Sequence, residues 1–192
     1  PMADKYPGIS PYAYCAWNPV KLVDPDGNKI KNAYEAYLNI SNQVNDLTNR
    51  IKDATNREER KYYKKEIHYL LKQHDNYLKI QGAIDAFKDA NINEYNRLDQ
   101  LSYNGNDVDI IINLSDNWMS SSRGMGETNI TYRITSDSKV TEIRPINITL
   151  YQSAFSGKSN GLSTLANEFG DAIFGTTKPQ EAYEGFLEMK NN

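Results

Sequence analysis

The chain is predicted to fold as an α+β protein, with a helical hairpin and a small antiparallel sheet packed on a further amphipathic helix. Changes in apolar spacing carry that prediction. From residue 30 to about 97 apolar residues recur at steps of three and four, and from about 107 to 151 they alternate with polar ones. After residue 161 the longer step returns. A length of 192 residues accommodates one core-forming domain and a short appendage, not a second large domain.

Residues 1–28, PMADKYPGISPYAYCAWNPVKLVDPDGN, hold Pro1, Pro7, Pro11, Pro19 and Pro25, five of the seven prolines. Each ring fixes φ and removes an amide donor, so this stretch is not a helix. Asp24-Pro25-Asp26-Gly27 is a turn by its chemistry, with proline presetting one dihedral and glycine accepting positive φ. The segment KYPGISPYAYCAWNPVKLVDPDGN resembles the end of the Rhs-repeat-associated core domain of bacterial YD-repeat proteins, where SPYAYCxNNPVxxxDPDG closes the core. Trp17 stands where that pattern carries Asn. The resemblance implies that residues 1–29 are the tail of a β-rich shell and that residues 30–192 are the variable C-terminal domain behind it, often a toxin. It also implies a parent protein that is exported or held at the cell surface. In some members an aspartate of the closing motif takes part in self-cleavage. Asp24 occupies the comparable position, but without the upstream shell it is not expected to act. The opening Pro1-Met2-Ala3 reads as the interior of a longer chain.

Residues 30–97 read as two helices. Tyr37, Ile40, Val44, Leu47, Ile51 and Ala54 form one apolar seam. Thr55-Asn56-Arg57-Glu58 has the form of a capping box that starts a second helix, whose seam is Tyr63, Ile67, Leu70, His74 and Tyr77, extended by Ile80, Ile84 and Phe87. An antiparallel hairpin is the natural reading, with one long helix bent near Thr55 as the alternative. His74 lies in the seam and is expected to be a hydrogen-bonded interfacial imidazole; His68 lies off it, and neither has a second histidine at ligand spacing. The run Arg57-Glu58-Glu59-Arg60-Lys61 reads as a solvated face with i,i+4 ion pairs.

Period-two alternation marks half-buried strands at Val108–Leu114, Ile130–Ile134 and Ile146–Leu150. Thr135 to Lys139 is a hairpin turn leading to a strand at Val140–Ile143, and the Ser- and Gly-rich stretch from Trp118 to Gly126 is a loop.

The octapeptide Leu165 to Ala172, LANEFGDA, lies on a helix whose residues Leu162, Leu165, Ala166, Phe169 and Ile173 share one face, with Gly175 placed to end it. Asn167 and Asp171 are four apart and project together from the other side, with Glu168 at their flank. Two histidines so spaced hold zinc in an HExxH helix, and the adjacent glutamate takes a proton from metal-bound water. STLANEFGDAIFG, residues 163–175, resembles the zincin helix of metallopeptidase-like toxin domains found behind Rhs cores. The resemblance places Asn167 and Asp171 at ligand positions and Glu168 at the general-base position. It draws a third ligand from Glu181 or Glu184, on a helix that starts near Thr177-Lys178-Pro179-Gln180.

The departure from that pattern decides the chemistry. An Asn amide oxygen is a neutral, weak zinc donor, Asp171 reaches less far than His, and without metal Glu168 has no acidified water to deprotonate. The resulting expectation is a zincin-like domain without zinc-dependent peptidase activity, acting as a binding or interaction module, with no cofactor. One alternative is an active hydrolase that uses Asp171, Glu168 and a downstream carboxylate around a cation harder than zinc. Another is an interaction domain unrelated to zincins, in which these residues are the wet side of a surface helix. The expected partner is a protein target or an immunity-type protein.

Composition narrows the field. A net charge of -3 with both signs mixed along the chain argues against nucleic acid as a partner. No apolar run is long enough to cross a bilayer, and the N-terminus lacks the order of a signal peptide. Cys15, the single cysteine, excludes an intrachain disulfide and a cysteine-based zinc cluster, and reads as a small buried hydrophobe.

Overall fold

The computed structural model describes residues 29–118, 124–156 and 160–191. The Rhs-like segment with Asp24 and Cys15 lies outside the described residues, as do residues 119–123 of the Ser- and Gly-rich stretch. Among the described residues the protein is mixed α+β, with five α-helices, a four-stranded mixed sheet and two small hairpins.

The first element, β1 (Ile30–Asn32), is a strand where helical spacing was expected. The hairpin follows as α1 (Ser41–Asp53) and α2 (Arg57–Ala90). Its break is capped one residue later than the sequence pattern placed it. Asn56 Oδ1 accepts from Glu59 N at 2.9 Å, and Glu59 Oε2 accepts from Thr55 N at 3.3 Å. Antiparallel pairing is visible at both ends. His74 Nδ1 stands 2.8 Å from Tyr37 O at one end, and the Arg60 guanidinium donates to Ala54 O at 3.1 Å at the other. His74 also stacks on Tyr77, so it is the interfacial imidazole its seam position predicts, whereas His68 is exposed. Ile80, Ile84 and Phe87 are buried in the core, while the outer part of the hairpin carries only half-buried seam residues from Tyr63 to Tyr77. The short α3 (Ile92–Asp99) adds Tyr95 and Leu98 to that core.

A two-residue-per-strand hairpin, β2 (Ser102–Tyr103) with β3 (Asn106–Asp107), leads into β4 (Ile110–Ser115). Next come β5 (Gly126–Asn129), β6 (Tyr132–Ile134), β7 (Val140–Ile143) and β8 (Ile146–Tyr151). The turn at residues 135–139 closes the β6–β7 hairpin as expected, with Thr135 N donating to Lys139 O at 2.9 Å. The main sheet has the order β1-β4-β8-β5. Here the structure corrects the antiparallel expectation: β1, β4 and β8 run parallel, and only β5 is antiparallel, at the edge. The expectation failed because alternation reports how many faces are covered, not strand direction. Helices cover one face of this sheet, so Ile110, Ile112 and Leu114 are buried while Ile111, Asn113 and Ser115 are only half-buried.

Two helices end the chain, α4 (Leu162–Thr177) and α5 (Pro179–Asn191), the latter opening with proline in its first turn as predicted. Both α4 and the inner half of α2 contribute side chains to the buried cluster on β4 and β8. The Phe87 and Phe169 rings meet edge to face, with centroids 4.8 Å apart.

Candidate functional site: the α4 helix and edge strand β5

Helix α4 buries Leu165, Phe169 and Ala172, and its partly buried Leu162, Ala166 and Ile173 border the same core. That is the apolar face the sequence defines. Gly175 does not end the helix. It is buried inside α4, which continues to Thr177, and a Cβ there would fall on Ile130 Cδ1 and come within 2.8 Å of Tyr132 Oη. The Tyr132 hydroxyl donates to Gly175 O at 3.1 Å. Glycine at this position allows close approach of strand and helix, not a left-handed cap.

A second close approach sits two turns earlier. A Cβ on Gly126 of β5 would come 2.8 Å from both Glu168 Oε1 and Thr164 Cγ2, so β5 lies directly on α4. The Thr128 hydroxyl stands 2.7 Å from Glu168 Oε2 and 3.1 Å from Glu168 O. An ionised Glu168 takes the hydroxyl proton for itself. When Glu168 is protonated it donates to Thr128 Oγ1, whose own proton is then free for Glu168 O, and both distances are satisfied. Glu168 is 8% exposed. Burial pushes its carboxyl above the ordinary value of 4.5, the Thr128 hydrogen bond opposes this, and the charges of Asp171 and Glu127 add to the rise.

The other motif residues are placed differently. Asn167 and Asp171 are exposed, so the turn of helix that resembles a zinc-binding motif shows its two ligand positions to solvent and its glutamate to β5. Glu181 pairs with Lys178 at 2.9 Å, and Glu184 accepts from Gln180 Nε2 at 2.8 Å. Both are engaged by neighbours near the start of α5. Gln180 also donates to Ser138 O and accepts from Val140 N, each at 3.1 Å, which fastens α5 to the β6–β7 hairpin. Among the described residues no three His, Cys, Asp or Glu side chains gather as a metal centre requires. Zinc does not fit this donor set: a neutral amide, a short carboxylate and a buried acid held by a threonine.

Sequence reasoning missed Thr128 and Gly126. The glycine was the available signal, because a glycine at the start of a strand marks a site where something approaches the backbone closely. No family model, curated protein or solved structure matches this chain.

Proposed function

We propose that this chain is the variable C-terminal domain of an Rhs-type protein, that α4 is a zincin-like helix no longer used for zinc-dependent hydrolysis, and that the domain acts by binding. The resemblance of residues 1–28 and of residues 163–175 supports the placement and the ancestry. One observation carries the loss of chemistry: Glu168, at the general-base position, is buried and held by Thr128 beneath β5, while Asn167 and Asp171 face solvent. A base in that role needs a metal-bound water within reach, and nothing at positions 167 and 171 supplies a competent ligand pair.

Metal analysis and zinc calorimetry on the purified chain test the proposal. The expected result is no zinc in the native protein and no heat on titration, with uptake of one zinc by Asn167→His/Asp171→His. Stoichiometric zinc in the native protein, or metal-dependent peptide cleavage, would overturn the loss of chemistry. Failure of the double-histidine variant to take up zinc would overturn the ancestry and leave an unrelated binding domain.

A further inference from the structure

The outer half of α2 carries a feature that the proposed function does not use. Arg57, Arg60, Lys61, Lys64, Lys65, His68, Tyr69 and Lys72 line one open trough of about 660 Å³. At 100° per residue the cations share an arc of about 140° of the helix, and the seam of Tyr63, Ile67, Leu70 and His74 that packs toward α1 borders that arc on the Arg60 side. Folding therefore collects charges that look interspersed in the sequence. Glu59 is occupied by Thr55 N, Glu58 lies on the flank that also carries Tyr62 and Tyr69, and Glu66 sits to the rear of this face. The i,i+4 ion pairs expected within residues 57–61 do not form among the described residues; the pairs of that spacing are Asp46–Arg50 and Asp75–Lys79. Lys72 is held by Asp116 at 2.7 Å and Arg60 by Ala54 O, which leaves Arg57, Lys61, Lys64 and Lys65 as the cations open to a ligand.

Charge density identifies the kind of ligand. From Arg57 to Lys65 the helix rises about 12 Å and carries the four open cations, about one per 4 Å, close enough together for one polyanionic chain to meet several at once. The net charge of -3 does not oppose this, because charges farther away than about 8 Å are screened at physiological salt. Tyr62 and Tyr69, seven residues apart and 57% and 48% exposed, stand along one flank of the cationic face, Tyr69 with its ring nearly at right angles to Tyr37 and the two hydroxyls 3.2 Å apart. Aromatic rings beside a cationic track are what unpaired bases stack on, and a duplex has no use for them.

We propose that the outer half of α2 binds single-stranded nucleic acid, with the phosphates along Arg57, Lys61, Lys64 and Lys65 and bases against Tyr62 and Tyr69. This departs from the expectation drawn from net charge. The test is fluorescence anisotropy of a labelled 20-nucleotide single strand of mixed sequence with the 192-residue chain. Four phosphate contacts give a slope of about -2.8 in log K against log salt, or about a fifty-fold loss between 50 and 200 mM. Lys61→Gln/Lys64→Gln/Lys65→Gln is expected to weaken binding at least tenfold at 50 mM salt and flatten the slope to about -0.7. Tyr62→Ala is expected to weaken binding about fivefold or more with the slope unchanged. Lys88→Gln/Lys139→Gln/Lys178→Gln removes equal charge elsewhere and is expected to change affinity less than about twofold, as an effect of distant, screened charge. All substituted positions are on the surface, and circular dichroism verifies the fold. The proposal is overturned by absence of binding at 50 mM salt, by equal losses in the two triple variants, or by tighter capture of a duplex, polyglutamate or anionic vesicles than of the single strand.

Discussion

Gly175→Ala discriminates between two roles for that glycine. If Gly175 merely terminated α4, its replacement would cost a cap and nothing in the sheet would respond. In the structure it lies within the last turn of α4, before the helix ends at Thr177, with Ile130 and Tyr132 against its α-carbon. Alanine would favour the helix by at most about 1 kcal/mol on propensity alone, the value for a helix interior. Against this stands overpacking of about 1–3 kcal/mol, because Ile130 Cδ1 and Tyr132 Oη occupy the space the new methyl needs. Displacing the Tyr132 ring also gives up its hydrogen bond to Gly175 O, about 1 kcal/mol more. That donor is present across the working pH range, since burial pushes the Tyr132 phenol up to about 12. The balance is a loss of about 2 kcal/mol, or about 4–8 °C in Tm for a domain of this size. Thermal and urea denaturation of Gly175→Ala, Ile130→Val and the double variant measure it. Ile130→Val deletes the Cδ1 methyl, so the double variant is expected to recover most of the loss. An unchanged or raised Tm for Gly175→Ala, or a loss that Ile130→Val does not relieve, refutes the close approach of α4 to the segment between β5 and β6.

Two further outcomes are expected. Glu168 has a folded-state pKa raised above its unfolded value, so its contribution to stability is complete below the unfolded carboxyl range and is lost as pH rises through the folded pKa. Glu168→Gln should therefore gain stability relative to the native chain as pH rises from 4 to 7, in urea denaturation series at each pH; a pH-independent difference would show that Glu168 ionises as a solvated carboxylate does. Asn56→Ala removes the acceptor of Glu59 N at the start of α2 and should cost about 1 kcal/mol, with faster hydrogen exchange in residues 57–60 than elsewhere in α2. Unaltered exchange there would mean that the α1–α2 junction is not held by this cap.

Legibility followed the range of the interaction that decides each feature. Helical spacing placed both seams of the hairpin because the side chains on one helix face are set by residues three and four apart; Ile80, Ile84 and Phe87 are buried accordingly, while Val44, Leu47 and Ile51 of α1 are only half-buried. The β6–β7 hairpin was legible for the same local reason. Strand direction was not, since the pairing of Ile30 with Ile110 and of Ile110 with Ile146 is set across long separations by helices lying on one face of the sheet. The α4 motif shows the same division. Its amphipathic face was readable, whereas the use of Glu168 depended on Gly126 and Thr128, about 40 residues away, coming to rest against it. Charge behaves the same way in reverse. A whole-chain total of -3 is a sum without positions, and a helix can segregate like charges that alternate with unlike ones in sequence, so the cationic face of α2 exists only once residues 57–72 are helical. If a nucleic-acid strand binds there, the segregation into a helix face, and not the overall charge, must govern its salt dependence. The Lys61/Lys64/Lys65 variant then separates the two, because an effect of total charge would move equally with Lys88, Lys139 and Lys178.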